Sequence, residues 1–270
     1  MQKRQIDRKQ YFEELAVTSK NFYLPYIRRF TEVNSTTRIL EVGCGEGGNL
    51  LPFAQIGCSV TGVDMSPSRI VQAKEFFAEH DAEGTFINCN FLEAEIPTNE
   101  SDKYDIVLMH DVIEHIDQPF KVSFIQHVRA FMKANGVFFC GFPAWQMPFG
   151  GHQQICKGFA SHVPFIHLLP LFLYKAVLKM SGEGEGCVNE LLSIRRSKMT
   201  IEAFNRLIGK CNLRTINCRL WLINPHYLKK FGLKPRRLNS IVSHIPYLRD
   251  FFSTSCFYML TKKKVINSKQ

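Results

Sequence analysis

"RILEVGCGEGGNL", residues 38–50, places four glycines within six positions directly behind an apolar run. An apolar run that short, closed by glycines, reads as a buried strand opening into a loop whose bare main chain a ligand can approach. The segment "GGNLLPFAQIG" then reads as a helix closed by Gly57, "SVTGVD" as a second strand and "SPSRIVQAKEFFAEH" as a second helix. Ser66 suits the N-cap of that helix and Pro67 its first position. "TFINCN" reads as a third strand and "YDIVLMH" as a fourth, followed by helices over "DVIEHI" and "QPFKVSFIQHVRAFMKANG". "GVFFCGFP" is a fifth strand. Strands and helices alternating at this spacing predict a parallel sheet with helices on both faces.

The alternation lapses over residues 144–198, which hold the apolar stretch 163–180 and the glycine-rich "SGEGEG". It resumes with the helix "MTIEAFNRLIGKCN", N-capped by Thr200, the strand "RTINCRLWLI" and a last strand "SCFYMLTKK". Residues 224–250 between those strands are basic, irregular and proline-containing. The expected organisation is therefore a helical segment over 1–35, a cofactor-binding core over 36–143, a cap insertion over 144–198 and completion of the sheet over 199–265.

Gly43, Gly45 and Gly48 satisfy G-x-G-x-x-G, and Asp64 stands at the end of the second strand. Two cofactor classes need this geometry: nicotinamide dinucleotides, and S-adenosylmethionine. Both present a ribose diol that a carboxylate can accept from, and both need close main-chain approach. Glu41, two residues ahead of the first glycine, separates them. A carboxylate there repels a pyrophosphate but attracts the ammonium and sulfonium of S-adenosylmethionine.

With "ILEVGCGEGGNL", "VTGVDMSPSRIVQAK", "YDIVLMHDVIEHI" and "FMKANGVFFCGFP" in place, the sequence resembles the class I S-adenosylmethionine-dependent methyltransferases, nearest to the branch acting on small molecules and quinone-type lipids. The resemblance spans roughly residues 36–143 and returns at 199–223 and at the last strand. It implies a Rossmann-like seven-stranded α/β sheet, the last strand antiparallel and inserted between the fifth and sixth. It also implies site roles. Glu41, Gly43 and Gly45 would line the methionine end, Asp64 the ribose, Met65 the adenine face, and His110 and Asp111 the methionine moiety. Asn90 and Phe91 fall where the family usually has an acid for the adenine amino group; the Asn is a departure whose side-chain oxygen can still accept.

Transfer from a sulfonium needs alignment and, for a hydroxyl acceptor, a base. His115, beside Glu114, and His152, in "PFGGHQQ", are the candidate catalytic residues. No cluster with metal-ligand spacing is visible, so no metal is expected. For the acceptor, "HDVI" replaces the Asn/Asp-Pro-Pro-aromatic motif of many enzymes that methylate the exocyclic amines of bases, and no Pro-Cys dipeptide occurs. Both absences count against nucleic acid. The helix "LPLFLYKAVLKM", polar only at Lys175 and Lys179, is expected to cap the acceptor pocket, to meet lipid, or to meet a protein.

Basic residues concentrate late. Residues 195–270 carry 17 Lys and Arg against Glu202 and Asp250, while the chain as a whole is +10. Such a face suits phosphate, nucleic acid or anionic lipid, or is simply solvated. Lys229, Lys230, Lys234, Arg236 and Arg237 would meet head groups. Nine Cys without a C-x-x-C pair, and no apolar leader-like run, predict reduced thiols and a cytoplasmic protein, peripheral to a membrane at most. The expected activity is methylation, at oxygen, of a small or lipid-linked acceptor. Saccharide precursors, nucleic acid, a non-catalytic cofactor module and a dehydrogenase are the alternatives. The oligomeric state is not fixed by the sequence.

Overall fold

Eight strands form one sheet in the computed structural model, which describes residues 7–263. The outer ends of the first and last expected segments, residues 1–6 and 264–270, lie outside the described residues. The strands are β1 (Arg38–Val42), β2 (Ser59–Asp64), β3 (Thr85–Asn88), β4 (Tyr104–His110), β5 (Met132–Phe142), β6 (Leu213–Ile223), β7 (Arg236–Arg237) and β8 (Ser255–Lys262). Their order is β3-β2-β1-β4-β5-β8-β6-β7. The first five are parallel, and β8 is antiparallel to both β5 and β6. The expected seven-stranded topology is present, last strand included. The eighth, β7, is a two-residue edge strand in the basic insertion, paired with Trp221 and Ile223 of β6. Two arginines carry no alternating pattern from which a strand could be read.

The chain winds from β1 outward to β3 and then reverses through β4, so the sheet opens a crevice at the carboxyl ends of β1 and β4. One apolar cluster fills the face beneath helices Lys121–Phe131 and Ile201–Lys210. A second fills the face beneath the N-terminal helix and helix Pro67–Glu79. The cap has a small core of its own around Tyr174, Leu178 and Leu191.

Three local expectations are corrected. Only Leu51–Ala54 of the glycine segment is helical, because Gly43, Gly45 and Gly47 hold positive φ, which a helix cannot contain. "DVIEHI" is a turn rather than a helix: Asp111 sits at φ +55° and its N–H donates to Gly141, extending the β4–β5 pairing. "MKANG" belongs to β5, since the helix stops at Phe131 and Met132 pairs with Tyr104.

The N-terminal helix Arg8–Thr18, continued by a π turn and by Leu24–Ile27, lies directly on the glycine loop. A β-carbon at Gly48 would come 2.6 Å from the Phe12 carbonyl oxygen. Glycine at 48 therefore serves helix–loop packing, whereas Gly45 faces open space. Phe12, fully buried, packs on Phe76 and Phe77 and locks that helix in place.

Candidate active site

The crevice begins at Glu41, the fourth residue of β1 and 1% exposed. Its Oε1 accepts from Asn49 Nδ2 at 2.7 Å; its Oε2 is buried with no hydrogen-bond partner among the described residues. Burial pushes the carboxyl up to about 8; the Asn49 hydrogen bond works against this and the nearby Asp64 charge adds to it. Gly43 is held at φ +72°, and a β-carbon there would sit 2.5 Å from Val112 Cγ2. A β-carbon at Gly45 would meet nothing within 4 Å, so this residue faces open space. Asp64 ends β2 and braces the loop: Oδ2 accepts from Gly45 N and Oδ1 from Ser66 N, both at 2.9 Å. Each oxygen keeps a further lone pair for a ligand.

Farther along, Met65 is exposed at the turn after β2. Asn90 caps the short turn that follows, accepting from Leu92 N at 3.2 Å and donating to Glu93 Oε1 at 2.9 Å. Phe91 departs from its expected role as a cofactor contact. Its ring is buried against Phe124, His127 and Phe131, which leaves only its main chain to face a ligand.

Two cavities meet at the end of β4. One, about 310 Å³, runs over the glycine loop and includes Gly43, Gly45, Asn49, His110, Asp111, His115 and His152. The other, about 190 Å³, is roofed by the cap and includes Tyr23, Met147, Phe149, His226, Tyr227 and Lys230. They share Tyr11, Leu15, His110, Asp111 and His152. His110 is fixed between Tyr23, whose hydroxyl lies 3.0 Å from Nε2, and Asp111, 3.3 Å from Nδ1. Burial works to raise the Asp111 carboxyl, but the charge and hydrogen bond of His110, aided by His152 and His226, outweigh it and hold it at about 2.

His115 and His152, 37 positions apart, are brought edge to face with ring centroids 5.1 Å apart. Burial and the neighbouring His115 push His152 down to about 4, against the pull of Asp111. Burial also lowers His115, again opposed by Asp111. Both shifts favour the neutral imidazole, which keeps a nitrogen lone pair. Glu114 stands behind them, so ligand-type atoms of Glu114, His115 and His152 all lie within 4.8 Å of one another. The sequence, read for spacing, showed no such cluster.

Several lining residues were not anticipated. Tyr11, Leu15 and Tyr23 come from the N-terminal helical run, and Arg8 reaches over the loop, donating from Nε to the fully buried Glu46 at 2.6 Å. His226, Tyr227 and Lys230 come from the basic insertion. An "RKQYFEEL" stretch before the first strand gives no local sign that it folds back over the crevice.

The comparisons agree with this geometry. The family model described as "Methyltransferase domain" matches residues 40–138, which run from β1 into β5. The matched core is similar to that domain. Over 106 residues it is 36% identical to a ubiquinone biosynthesis O-methyltransferase of Rickettsia typhi, a match covering 38% of this chain and 39% of that one. A protein of the same description from Histophilus somni is 30% identical over 143 residues, 50% of this chain and 58% of that one. The chain thus spans roughly two fifths to three fifths of the length of these relatives. Solved structures show the same fold at low identity. A methyltransferase from Clostridium acetobutylicum superposes with TM-score 0.57 at 10% identity, covering 92% of each chain. Magnesium protoporphyrin IX methyltransferase from Synechocystis superposes at 0.54 and 13%, over 90% of this chain and 81% of that one. The matched segment supplies the glycine loop, Asp64, His110, Asp111 and His115. Tyr11, Tyr23, His152 and the residues of the basic insertion lie outside it.

Proposed function

We propose that the protein is an S-adenosylmethionine-dependent O-methyltransferase acting on a small or lipid-linked acceptor. The observation that carries this reading is the unpartnered, buried Glu41 oxygen, whose partner Asn49 lines a cavity over a glycine loop open at Gly45, a cavity that shares lining residues with a second one. The residues fit the cofactor. Glu41 meets its ammonium, Gly43 and Gly45 admit its methionine chain, Asp64 takes the ribose hydroxyls, and Asn90 with the Phe91 main chain stands at the base. When bound, S-adenosylmethionine supplies an electrophilic methyl group on a sulfonium.

The chain's own residues do the rest. His110, held by Tyr23 and Asp111, forms the wall between the cavities and sets the distance between donor and acceptor. Much of the acceleration then comes from alignment. His152 stands at the junction with His115 against it, and the pair controls the proton that an acceptor hydroxyl must lose. Met147, Phe149, Tyr11 and Tyr227 give the acceptor cavity an aromatic and apolar lining, with Lys230 among them. The relatives are described as ubiquinone biosynthesis O-methyltransferases, and this lining suits an aromatic hydroxyl.

A lipid-linked acceptor is favoured by the cap. Helix Leu171–Met180 buries Tyr174 and Leu178 but leaves Phe172 72% and Met180 78% exposed, beside Lys175 and Lys179. No helix among the described residues is long and apolar enough to cross a membrane. The apolar face with flanking lysines suits a peripheral seat on anionic lipid. The test is incubation with isotopically labelled S-adenosylmethionine and fractionated lipid and aqueous extracts, followed by mass spectrometry. Label on a phenolic or other hydroxyl supports the reading; cofactor binding with no labelled product in any fraction refutes it.

A further inference from the structure

We propose that Cys156, Glu183 and Cys187 of the cap bind one zinc-type ion that staples the turns of the cap together. The site lies outside the two cavities described above, and its binding of an ion does not depend on the methyl-transfer reading.

Three observations support it. The first is the spacing of the sulfurs. Cys156 Sγ and Cys187 Sγ lie 3.9 Å apart, and both residues are free thiols. Bonds of about 2.3 Å from one tetrahedral ion to two thiolates set the sulfurs about 3.8 Å apart. A disulfide would instead require them to close to about 2.0 Å. A Glu183 carboxylate oxygen completes the set, and the three ligand atoms all lie within 4.8 Å of one another. Two thiolates with one carboxylate favour zinc over calcium and magnesium, which take oxygen ligands.

The second is the way Glu183 is held. Its Oε1 accepts from Gly158 N at 2.8 Å and from Ser181 Oγ at 3.1 Å, and its Oε2 accepts from Lys157 N at 3.0 Å. Those bonds occupy three of the roughly four lone-pair sites of a carboxylate and leave one on Oε2. All three donors are uncharged. They orient the carboxylate as outlying hydrogen bonds orient ligands in metal sites, and its charge is left for a cation. Ser181 Oγ accepts in turn from Ala160 N at 3.0 Å. A β-carbon at Gly158 would collide with the Ser181 carbonyl oxygen, so glycine lets the two segments meet this closely.

The third is access. Cys156 is buried in the small core of the cap with Ala160, Tyr174 and Leu178, while Glu183 and Cys187 are half-buried. A cavity of about 570 Å³ opens over Glu183 and Cys187 and is lined by Gly182, Gly184 and Gly186. A β-carbon at any of these three glycines would meet nothing within 4 Å. An ion can therefore enter from this side and keep a water at its fourth position.

A small apolar core gains much from such a staple. The ion would join Cys156 to the first turn of helix Glu185–Ser197. Ile155 N donates to His152 O at 3.1 Å and Cys156 N to Gln153 O at 3.0 Å, so anchoring Cys156 also anchors His152 at the junction of the cavities. Only the consequence of that anchoring for turnover rests on the methyl-transfer reading.

The test uses the purified, tag-free, full-length protein, reduced, stripped with chelator and titrated with Co²⁺ alone under absorption spectroscopy and calorimetry, then with Zn²⁺ in competition. One equivalent should bind with intense thiolate-to-cobalt charge-transfer bands, which Zn²⁺ abolishes. Cys187→Ser and Glu183→Gln should each weaken binding more than about 100-fold, beyond the cost of a change outside the ligand set, with unaltered circular dichroism. Zn²⁺ should slow limited proteolysis between residues 153 and 187 in the wild type but not in Cys187→Ser. The proposal is overturned by no saturable binding, by binding without those bands, by a Cys187→Ser variant that keeps them, or by equal proteolysis with and without zinc. Reduced protein that takes up no cobalt but closes a Cys156–Cys187 disulfide with oxidised glutathione also overturns it, and identifies a redox pair instead. S-adenosylmethionine binding is measured on the stripped protein in parallel. If cofactor binds and cobalt does not, this inference fails alone; if cobalt binds and cofactor does not, the methyl-transfer reading fails alone.

Discussion

A buried carboxyl that must become charged when its ligand arrives should release a proton on binding. Glu41 is that group. Burial holds its pKa at about 8, so at pH 7 about 90% of molecules carry the proton. An ammonium beside Oε2 favours the ionised form, and each pKa unit is worth about 1.4 kcal/mol. Binding at pH 7 should therefore release about 0.9 proton, and affinity should rise nearly tenfold between pH 6 and 7. Above that the cofactor's own amino group begins to titrate, near 7.7–8.0 as α-amino groups do. The window below pH 7 therefore isolates Glu41. The folded chain obeys the same linkage with opposite sense. Because Glu41 is raised from 4.5 to about 8, its contribution to stability is complete below pH 4.5 and is lost as pH rises through 8. Glu41→Gln keeps the Asn49 hydrogen bond and the volume but has no proton to give. Calorimetry in two buffers of different ionisation enthalpy counts the protons. The variant should release none, bind with flat pH dependence from 6 to 7, and fall about 10–100-fold below wild type at pH 8, the worth of a charged hydrogen bond. If wild type exchanges no proton and the variant matches its affinity at pH 8, Glu41 does not meet a cation and the cofactor assignment loses its support.

Asp64→Ala should weaken cofactor binding by at least tenfold in the same calorimeter, since it removes the ribose acceptor and the brace on Gly45 and Ser66; unchanged affinity removes the ribose assignment. His152→Ala should lower kcat about 100-fold or more while leaving S-adenosylmethionine affinity within twofold, a split that a merely structural residue would not give. Phe12→Ala should cost about 3–5 kcal/mol by denaturant titration, because the ring is fully buried under the helix that covers the glycine loop. Phe172→Asp should reduce sedimentation with anionic vesicles without changing Tm, since that ring is 72% exposed; equal sedimentation of both proteins removes the cap helix from the membrane reading.

What could be read from the sequence followed from chemistry local to a strand end or a helix start. The glycine loop, Glu41 and Asp64 are each decided within a few residues of β1 and β2, and Thr200 caps its helix as its hydroxyl and spacing require, accepting from Ala203 N at 3.0 Å. Local reasoning failed where a tertiary neighbour changed the backbone. "DVIEHI" has helical composition, yet Asp111 is drawn onto the edge of β5 by its bond to Gly141 and the next residues must turn. Met132 and the residues after it extend β5 because Tyr104 is there to pair with. Position after β3 does not orient the Phe91 ring, which packs into the aromatic core around Phe124 and Phe131.

The site itself was legible one residue at a time but not as a constellation. His115 and His152 were each singled out for standing after a strand at the carboxyl edge of the sheet, which is where ligands gather in this architecture. Nothing in the chain announces that the 36 residues between them, 116–151, return to the same point. That return is made by β5, whose eleven residues carry the chain back to the carboxyl edge beside β4, and by the turns after Pro143, which drop His152 onto His115. A metal-ligand spacing rule looks for donors a few residues apart on one element. Here two donors share a turn and the third arrives from an insertion, so the rule passes over them. The same logic applies to Arg8, Tyr11 and Tyr23: their roles come from a helix that crosses the sheet before any strand has formed in the sequence. Residues whose job is to line a shared wall between two ligands must come from distant segments, because a single segment cannot face both cavities at once. The parts of this site that sequence left unread are therefore those at which the two cavities meet.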